Sequence, residues 1–164
     1  LFVLIGILSD THDRIDTMAA AMELLRQAGA QYFIHCGDVG GEGILDLLAG
    51  VPAAFVWGNT DFDRQTLAKY AENLGIKCCD EFGKLSFAGK RIVFTHGDHP
   101  ELMRRAMQPG YCDYLLHGHT HIIRDERIGS LRIINPGALQ RAATKTVGLL
   151  DVEKDILKHF TVSV

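Results

Sequence analysis

The chain has 164 residues, 47% of them apolar and 23% charged, which suits one folded domain with a substantial core. A formal net charge of -3 argues against a nonspecific nucleic-acid or membrane surface, since either needs a basic patch. The longest apolar run, Leu1 to Leu8, is too short to cross a bilayer, and no basic leader or small-residue cleavage site accompanies it, so neither an anchor nor a secretion signal is expected.

From the amino end, residues 2–8 read as a buried strand that releases Ser9-Asp-Thr-His12 at its carboxyl end. A helix is predicted over 15–27, with Met18, Ala21, Met22 and Leu25 on one apolar face and Gly29 to end it. A strand over 32–35, a short helix over 44–48, a strand over 53–57 and a helix over 64–73, stopped at Gly75, complete an alternating half. The second half is richer in strands. Segments 84–87 and 91–94 flank Gly89 as a hairpin does, a helix over 100–107 precedes a strand over 114–116, and 125–128 and 131–134 flank Gly129-Ser130. Strands over 146–152 and 156–162 pair around 153–155 to finish the chain. Alternation followed by hairpins predicts an α/β or α+β chain of two packed mixed β-sheets with helices outside, in a single domain over 1–164.

Seven polar residues stand where apolar runs give way to Gly- or Asp-rich loops: Asp10, His12, Asp38, Asn59, His96, His119 and His121. In open α/β sheets, ligands bind at those carboxyl ends of strands. Asp10 and His12 are two apart, as are His119 and His121, so an extended backbone would turn each pair to one side to grip one cation. Asp38 offers a carboxylate whose two oxygens can bridge two metals, Asn59 a neutral carbonyl oxygen, and His96 an imidazole. Carboxylate, amide and imidazole without thiolate suit manganese, iron, zinc or nickel better than calcium. Two close cations sharing a carboxylate would polarise a water to hydroxide, and the cations and Asn59 would offset negative charge growing on the group it attacks. The four cysteines, Cys36, Cys78, Cys79 and Cys112, form no C-x-x-C pair, so free thiols in a reducing cytoplasm are expected.

In order, Asp10-x-His12, Gly37-Asp38, Gly58-Asn59-x-Asp61, His96-Gly97 and Gly118-His119-x-His121 resemble the calcineurin-like metallophosphoesterase superfamily. The branch of small single-domain bacterial and archaeal phosphodiesterases is the most similar part of it. The resemblance runs from Leu1 to about Ala138, and Asn135-Pro136-Gly137 is similar to a late loop of that branch. It implies a four-layer sandwich with a binuclear site at one rim. One divalent ion would take Asp10, His12, Asp38 and His121; the other would take Asp38, Asn59, His96 and His119. Manganese is the first expectation, with nickel, iron or zinc as alternatives. The implied activity is hydrolysis of small-molecule phosphodiesters in the cytoplasm, weak on monoesters, with Asn59 also touching the reacting group. Base rates of assembly add a homodimer or higher homo-oligomer.

One position departs from the family. Many members carry His directly after the Asn of the third motif, and here Thr60 stands there. A threonine hydroxyl titrates too high for general acid work near neutral pH, so substrates with good leaving groups should be favoured unless His99 or a water donates the proton.

Other residues carry two readings each. His35 suits either orientation of Asp38 or a satisfied strand end, and His117 reads as buried and hydrogen-bonded. His99 faces substrate or solvent, while His159, far from every motif, reads as solvated. Asp61 either accepts from a neighbouring loop or caps the next helix, a task Asp63 could take instead. Arg14 either clamps a phosphate or begins the first helix exposed. Phe55 and Trp57 read as core, and Arg104-Arg105 as a solvated face. The rival to an enzyme is a binding scaffold on the same fold, such as the retromer subunit resembling this family, whose metal site is degraded. Here all seven positions are filled. A metallo-β-lactamase-like hydrolase would need an H-x-H-x-D-H run, which the chain lacks.

Overall fold

A computed structural model of the protein describes residues 3–164. Its elements run β1 (Leu4–Leu8), α1 (Ile15–Gln27), β2 (Tyr32–His35), α2 (Glu42–Leu48), β3 (Ala53–Phe55), α3 (Arg64–Asn73) and β4 (Lys77–Cys78) in the first half. The second half holds β5 (Phe82–Phe87), β6 (Lys90–Thr95), α4 (Pro100–Ala106), β7 (Tyr114–Leu116), β8 (Arg124–Ile128), β9 (Leu131–Asn135), β10 (Thr146–Asp151) and β11 (Ile156–Thr161).

The strands form two mixed sheets. The first has the order β11-β10-β1-β2-β3-β4 and the second β5-β6-β7-β9-β8. β1, β2, β3 and β4 run parallel, joined through α1, α2 and α3, whereas β10 and β11 return antiparallel at the other edge. In the second sheet β6, β7 and β9 are parallel, and the hairpin partners β5 and β8 lie outside them.

Strand alternation sorts the apolar residues into layers. Ile5, Ile7, Ile34, Ala54 and Val56 from the first sheet meet Ile92, Phe94, Tyr114, Leu116 and Ile134 from the second in an inner core. The opposite face of the first sheet, through Leu8, Phe33, Phe55 and Trp57, packs on Met18, Ala21, Met22 and Leu25 of α1, with Leu45 of α2 and Leu67 of α3. Val93, Leu115 and Ile133 turn the other way, onto Ala106 in α4's last turn. Helices, sheet, sheet and helix make the four layers expected. Phe55 and Trp57 are core, their rings edge to face at 4.7 Å.

Boundaries differ from expectation by a few residues for identifiable reasons. Of the strand expected over 2–8, Phe2 lies outside the described residues and regular pairing begins at Leu4. β3 stops at Phe55, not Trp57: Val56 N–H still donates to His35 O of β2, but Trp57 N–H turns to Asp80 O as the chain peels toward the site. β4, two residues long, carried too little pattern to be foreseen. All four cysteines are free thiols. No helix among the described residues is long and apolar enough to cross a membrane.

Candidate metal centre

Five parallel strands, β1, β2 and β3 of one sheet and β6 and β7 of the other, deliver their carboxyl ends to one rim. The loops there are stitched together by backbone bonds: Asp10 N–H to Gly37 O, His12 N–H to Asp38 O, and Gly118 N–H to His96 O. Close approach needs glycine in these loops, two cases being tightest at the ligands. A Cβ on Gly58 would lie 2.1 Å from Asp38 Oδ1, and one on Gly118 would lie 1.9 Å from Ser9 Oγ.

The convergence is not achieved as the two-residue alternation suggested. Asp10, His12, Asp38, His119 and His121 all adopt left-handed backbone, with φ between 44° and 68°. Neither Asp10/His12 nor His119/His121 lies on an extended stretch; each side chain reaches the rim because the chain kinks under it. Non-glycine residues in that region cost on the order of 1–3 kcal/mol each, and such strain gathers at functional sites where packing and hydrogen bonds hold it.

Buried Asp10 accepts from Ser9 Oγ at 2.6 Å and His119 N–H at 3.2 Å through Oδ2, and its Oδ1 faces His121 Nε2 at 3.1 Å. Asp38 accepts from Thr60 N–H through Oδ1 at 2.9 Å, and its Oδ2 lies 3.2 Å from His96 Nε2 and 3.5 Å from His12 Nε2. Asn59 Oδ1 stands 3.1 Å from His96 Nε2. Two triads of donor atoms lie within mutual reach of a cation: Asp10, His12 and His121, and Asp10, Asp38 and His96. The imidazoles form edge-to-face pairs, His12 with His121 at 5.8 Å and His96 with His119 at 5.1 Å, flanking the carboxylates. Thus Asp10 Oδ1, as well as Asp38 Oδ2, lies between the two pairs. His119, exposed like Asn59, meets the others through its ring contact with His96 and its backbone N–H.

Three imidazoles share one orientation. His96 Nδ1 faces Cys36 O at 2.8 Å, His121 Nδ1 faces Arg141 O at 3.4 Å, and His12 Nδ1 faces Thr60 Oγ1 at 3.4 Å. With Nδ1–H donating to each oxygen, Nε2 presents its lone pair toward the carboxylates, the arrangement that metal-ligating histidines adopt. His12 Nε2 is buried and without a hydrogen-bond partner. A buried polar atom left unpaired costs about 1–3 kcal/mol. A cation at that point would complete it, so the donor set fits divalent metal.

Without such a cation, the site's negative charge falls on its imidazoles. Burial would lower His96, but the hydrogen bond and charge of Asp38, with the charge of Asp10, push it up to about 9. Burial would raise Asp38, yet His96 and the Thr60 N–H hold it well below the usual carboxylate range. Burial lowers His12 despite the facing carboxylates, with nearby Arg141 adding to the effect.

Residues behind the rim hold the loops. Asp61 accepts from Val39, Gly40 and Gly58 N–H at 2.8–3.2 Å, clamping the Asp38 and Asn59 loops together. It caps no helix, and neither does Asp63 at the α3 N-cap. Arg64 donates to Asp61 O and Gly58 O from the other side. His35, driven by burial to about 3 and hence neutral, accepts from Gly37 N–H and donates to Thr11 Oγ1, supporting the Asp38 turn indirectly. His117 is buried, lowered by that burial to about 4, and set between Gly118 O and Arg124.

His159 corrects its solvated reading. It is half-buried, and Nε2 donates to Asn135 O at 3.2 Å. His99 is exposed and drawn to Glu81 and Asp98 rather than to any of the seven. Ser9 and Asn135 are supports to which the sequence reading assigned no role. Asn135 donates to Gly118 O and Thr120 Oγ1, fixing the turn that carries His119 and His121. The sequence marked Asn135 as a polar residue closing an apolar strand and as the start of the Asn135-Pro136-Gly137 loop, without giving it this task.

Residues 3–155 match the calcineurin-like phosphoesterase superfamily domain. Phosphodiesterase MJ0936 of Methanocaldococcus jannaschii is 30% identical over 155 residues, which cover 92% of this chain and 93% of that protein. A solved structure described as a novel archaeal phosphodiesterase superposes with a TM-score of 0.90 at 26% identity, covering 98% of this chain and all of the other. Zinc-bound Vps29 of Entamoeba histolytica shares the fold at a TM-score of 0.68 and 17% identity, covering 98% of each chain.

Proposed function

The chain belongs to the calcineurin-like phosphoesterase superfamily, and from that premise we propose that residues 1–164 act as one metal-dependent hydrolase domain that cleaves phosphodiesters and acts weakly on monoesters. Hydrolysis of phosphoesters follows from membership and from the 30% identical phosphodiesterase. The finer reading rests on one observation. The Nε2 atoms of His12, His96 and His121 are turned onto the facing carboxylates of Asp10 and Asp38, and one of those atoms is buried without a partner.

Asp10, His12, Asp38 and His121 would hold one divalent ion, and Asp38, Asn59, His96 and His119 the other. When bound, such ions activate water and draw charge from phosphoryl oxygens. The chain's own residues then have distinct tasks. Asp38 and Asp10 cancel cationic charge and keep the imidazoles aligned. Asn59 is exposed at the rim, so with Oδ1 turned inward its amide N–H groups meet a phosphoryl oxygen. Thr60 faces His12 and supplies no titratable proton, so a departing alkoxide of high pKa receives no help from this position. That supports a preference for esters with good leaving groups.

The test is to strip the protein of metal, add back manganese, nickel, iron(II) or zinc singly, and assay a panel of diesters and monoesters. Manganese or nickel should restore diester cleavage well above monoester cleavage. Silence with every cation would instead favour a scaffold on the same fold.

A further inference from the structure

Beside the metal centre lies a cavity of about 430 Å³, lined by Arg14, Thr17, Gln140, Arg141, Ala142 and Lys145. It adjoins the centre directly. Arg14 follows His12 by two residues, and the Arg141 carbonyl faces His121 Nδ1. Gln140, with its amide oriented to satisfy both neighbours, donates to His12 O at 3.1 Å and accepts from Arg14 Nε at 3.0 Å.

Three cations therefore meet at one cavity, and among the described residues none of the three is in an ion pair. Elsewhere Arg64, Arg91, Arg124, Arg127 and Arg132 all face carboxylates. Like charges gathered without counter-charge, in a chain whose net charge is -3, repel one another unless an anion joins them. The same cavity meets the amino end of α1, a 13-residue helix whose N-cap is Arg14 and which no side chain caps. Its first-turn N–H groups and the positive end of its dipole thus remain for an anion from outside, with Asp16 the acid of that turn.

We propose that this cavity is a subsite for a second phosphate carried by the substrate beside the scissile diester, an inference that rests on the phosphodiesterase reading. Two guanidinium groups, a lysine and a helix amino end suit a phosphate in charge and in the kind of donor they offer. The substrate class is then a small diester bearing an additional phosphate, such as a 5′-phosphorylated dinucleotide. A cyclic mononucleotide has no second phosphate to place there.

The experiment compares the wild type with an Arg14→Ala/Lys145→Ala variant, both loaded with manganese, on a dinucleoside monophosphate and its 5′-phosphorylated counterpart. In parallel, inorganic phosphate is titrated into nitrogen-15-labelled protein. The wild type should favour the phosphorylated substrate by about tenfold in kcat/KM, as charge-assisted contacts at a partly exposed site allow. The variant's ratio should fall to near one. Phosphate should shift the amides of residues 15–17 and 140–145 in the wild type and not in the variant. A wild-type ratio near one, with phosphate shifts confined to the metal loops, overturns the subsite and leaves the phosphodiesterase reading standing. Cleavage of neither substrate overturns that reading instead, and the phosphate titration then decides the cavity by itself.

Discussion

Thr60 shows how much one side chain can decide. Its backbone N–H is committed to Asp38 Oδ1, while its hydroxyl points at His12 Nδ1, so the position faces the site's interior and not bulk water. A histidine there retains the backbone contact and adds a group that titrates near neutrality. For Thr60→His, aryl phosphodiesters with poor leaving groups should gain roughly tenfold or more in kcat/KM, and the leaving-group dependence should flatten. An unchanged slope would place this residue away from the leaving oxygen. The seven polar residues could be picked out in the sequence because metal chemistry restricts the side chains that serve it. Their left-handed backbone could not: Asp and His enter that region more readily than most non-glycine residues, but nothing in the local sequence compels it at these five. It is the hydrogen bonds from partner loops that hold them there.

Elements were legible in proportion to their length and periodicity. α1 and α3 have the expected bounds, because a repeating apolar face and a following Gly29 or Gly75 are local signals. α2 starts two residues early and β4 was not foreseen, because a two-residue strand is defined by its neighbour β3 and not by its own pattern. α1 also tests the layer model. Leu25 is fully buried where α1 covers the first sheet, about three turns from Arg14. Leu25→Ala should cost about 2–5 kcal/mol in urea denaturation while leaving metal content per folded molecule unchanged. A loss of metal without a loss of stability would mean that α1 serves the rim and not the core.

At the scale of the whole molecule, one buried group and one half-exposed network shape the response to acid. His35 stays neutral in the fold, with a pKa of about 3 against 6.5, because it is buried. Between those values the unfolded chain binds a proton that the folded one refuses. Stability therefore falls as pH drops through that window, by on the order of 1 kcal/mol per pH unit for this group. Asp155 acts lower. It sits in the turn between β10 and β11, and there Tyr114 and Arg132 of the second sheet donate to it, so it latches one sheet to the other. Burial would raise its carboxyl, but hydrogen bonds from Arg127, Arg132 and Tyr114 bring it to about 2, from 3.8. That contribution is whole above 3.8 and fades as pH falls toward 2. Urea unfolding should show wild type more stable than Asp155→Asn by the same margin at pH 7 and pH 5, the margin closing toward pH 2. A margin constant down to pH 2 would show that the carboxylate's charge is not what the latch uses.

The strand-helix alternation, the later hairpins and the ligand types were determined by the sequence alone, because each depends on local periodicity or on the chemistry of single side chains. Only the tertiary structure decided how those ligands meet. Left-handed turns replace the expected extended pairs, Asp61 clamps two loops through three N–H groups, and Asn135 and His159 hold the last loop from separate strands. It alone brought Arg14 together with Arg141 and Lys145 around one cavity. These arrangements join residues tens to more than a hundred positions apart, and the energies that fix them arise only once both sheets have packed.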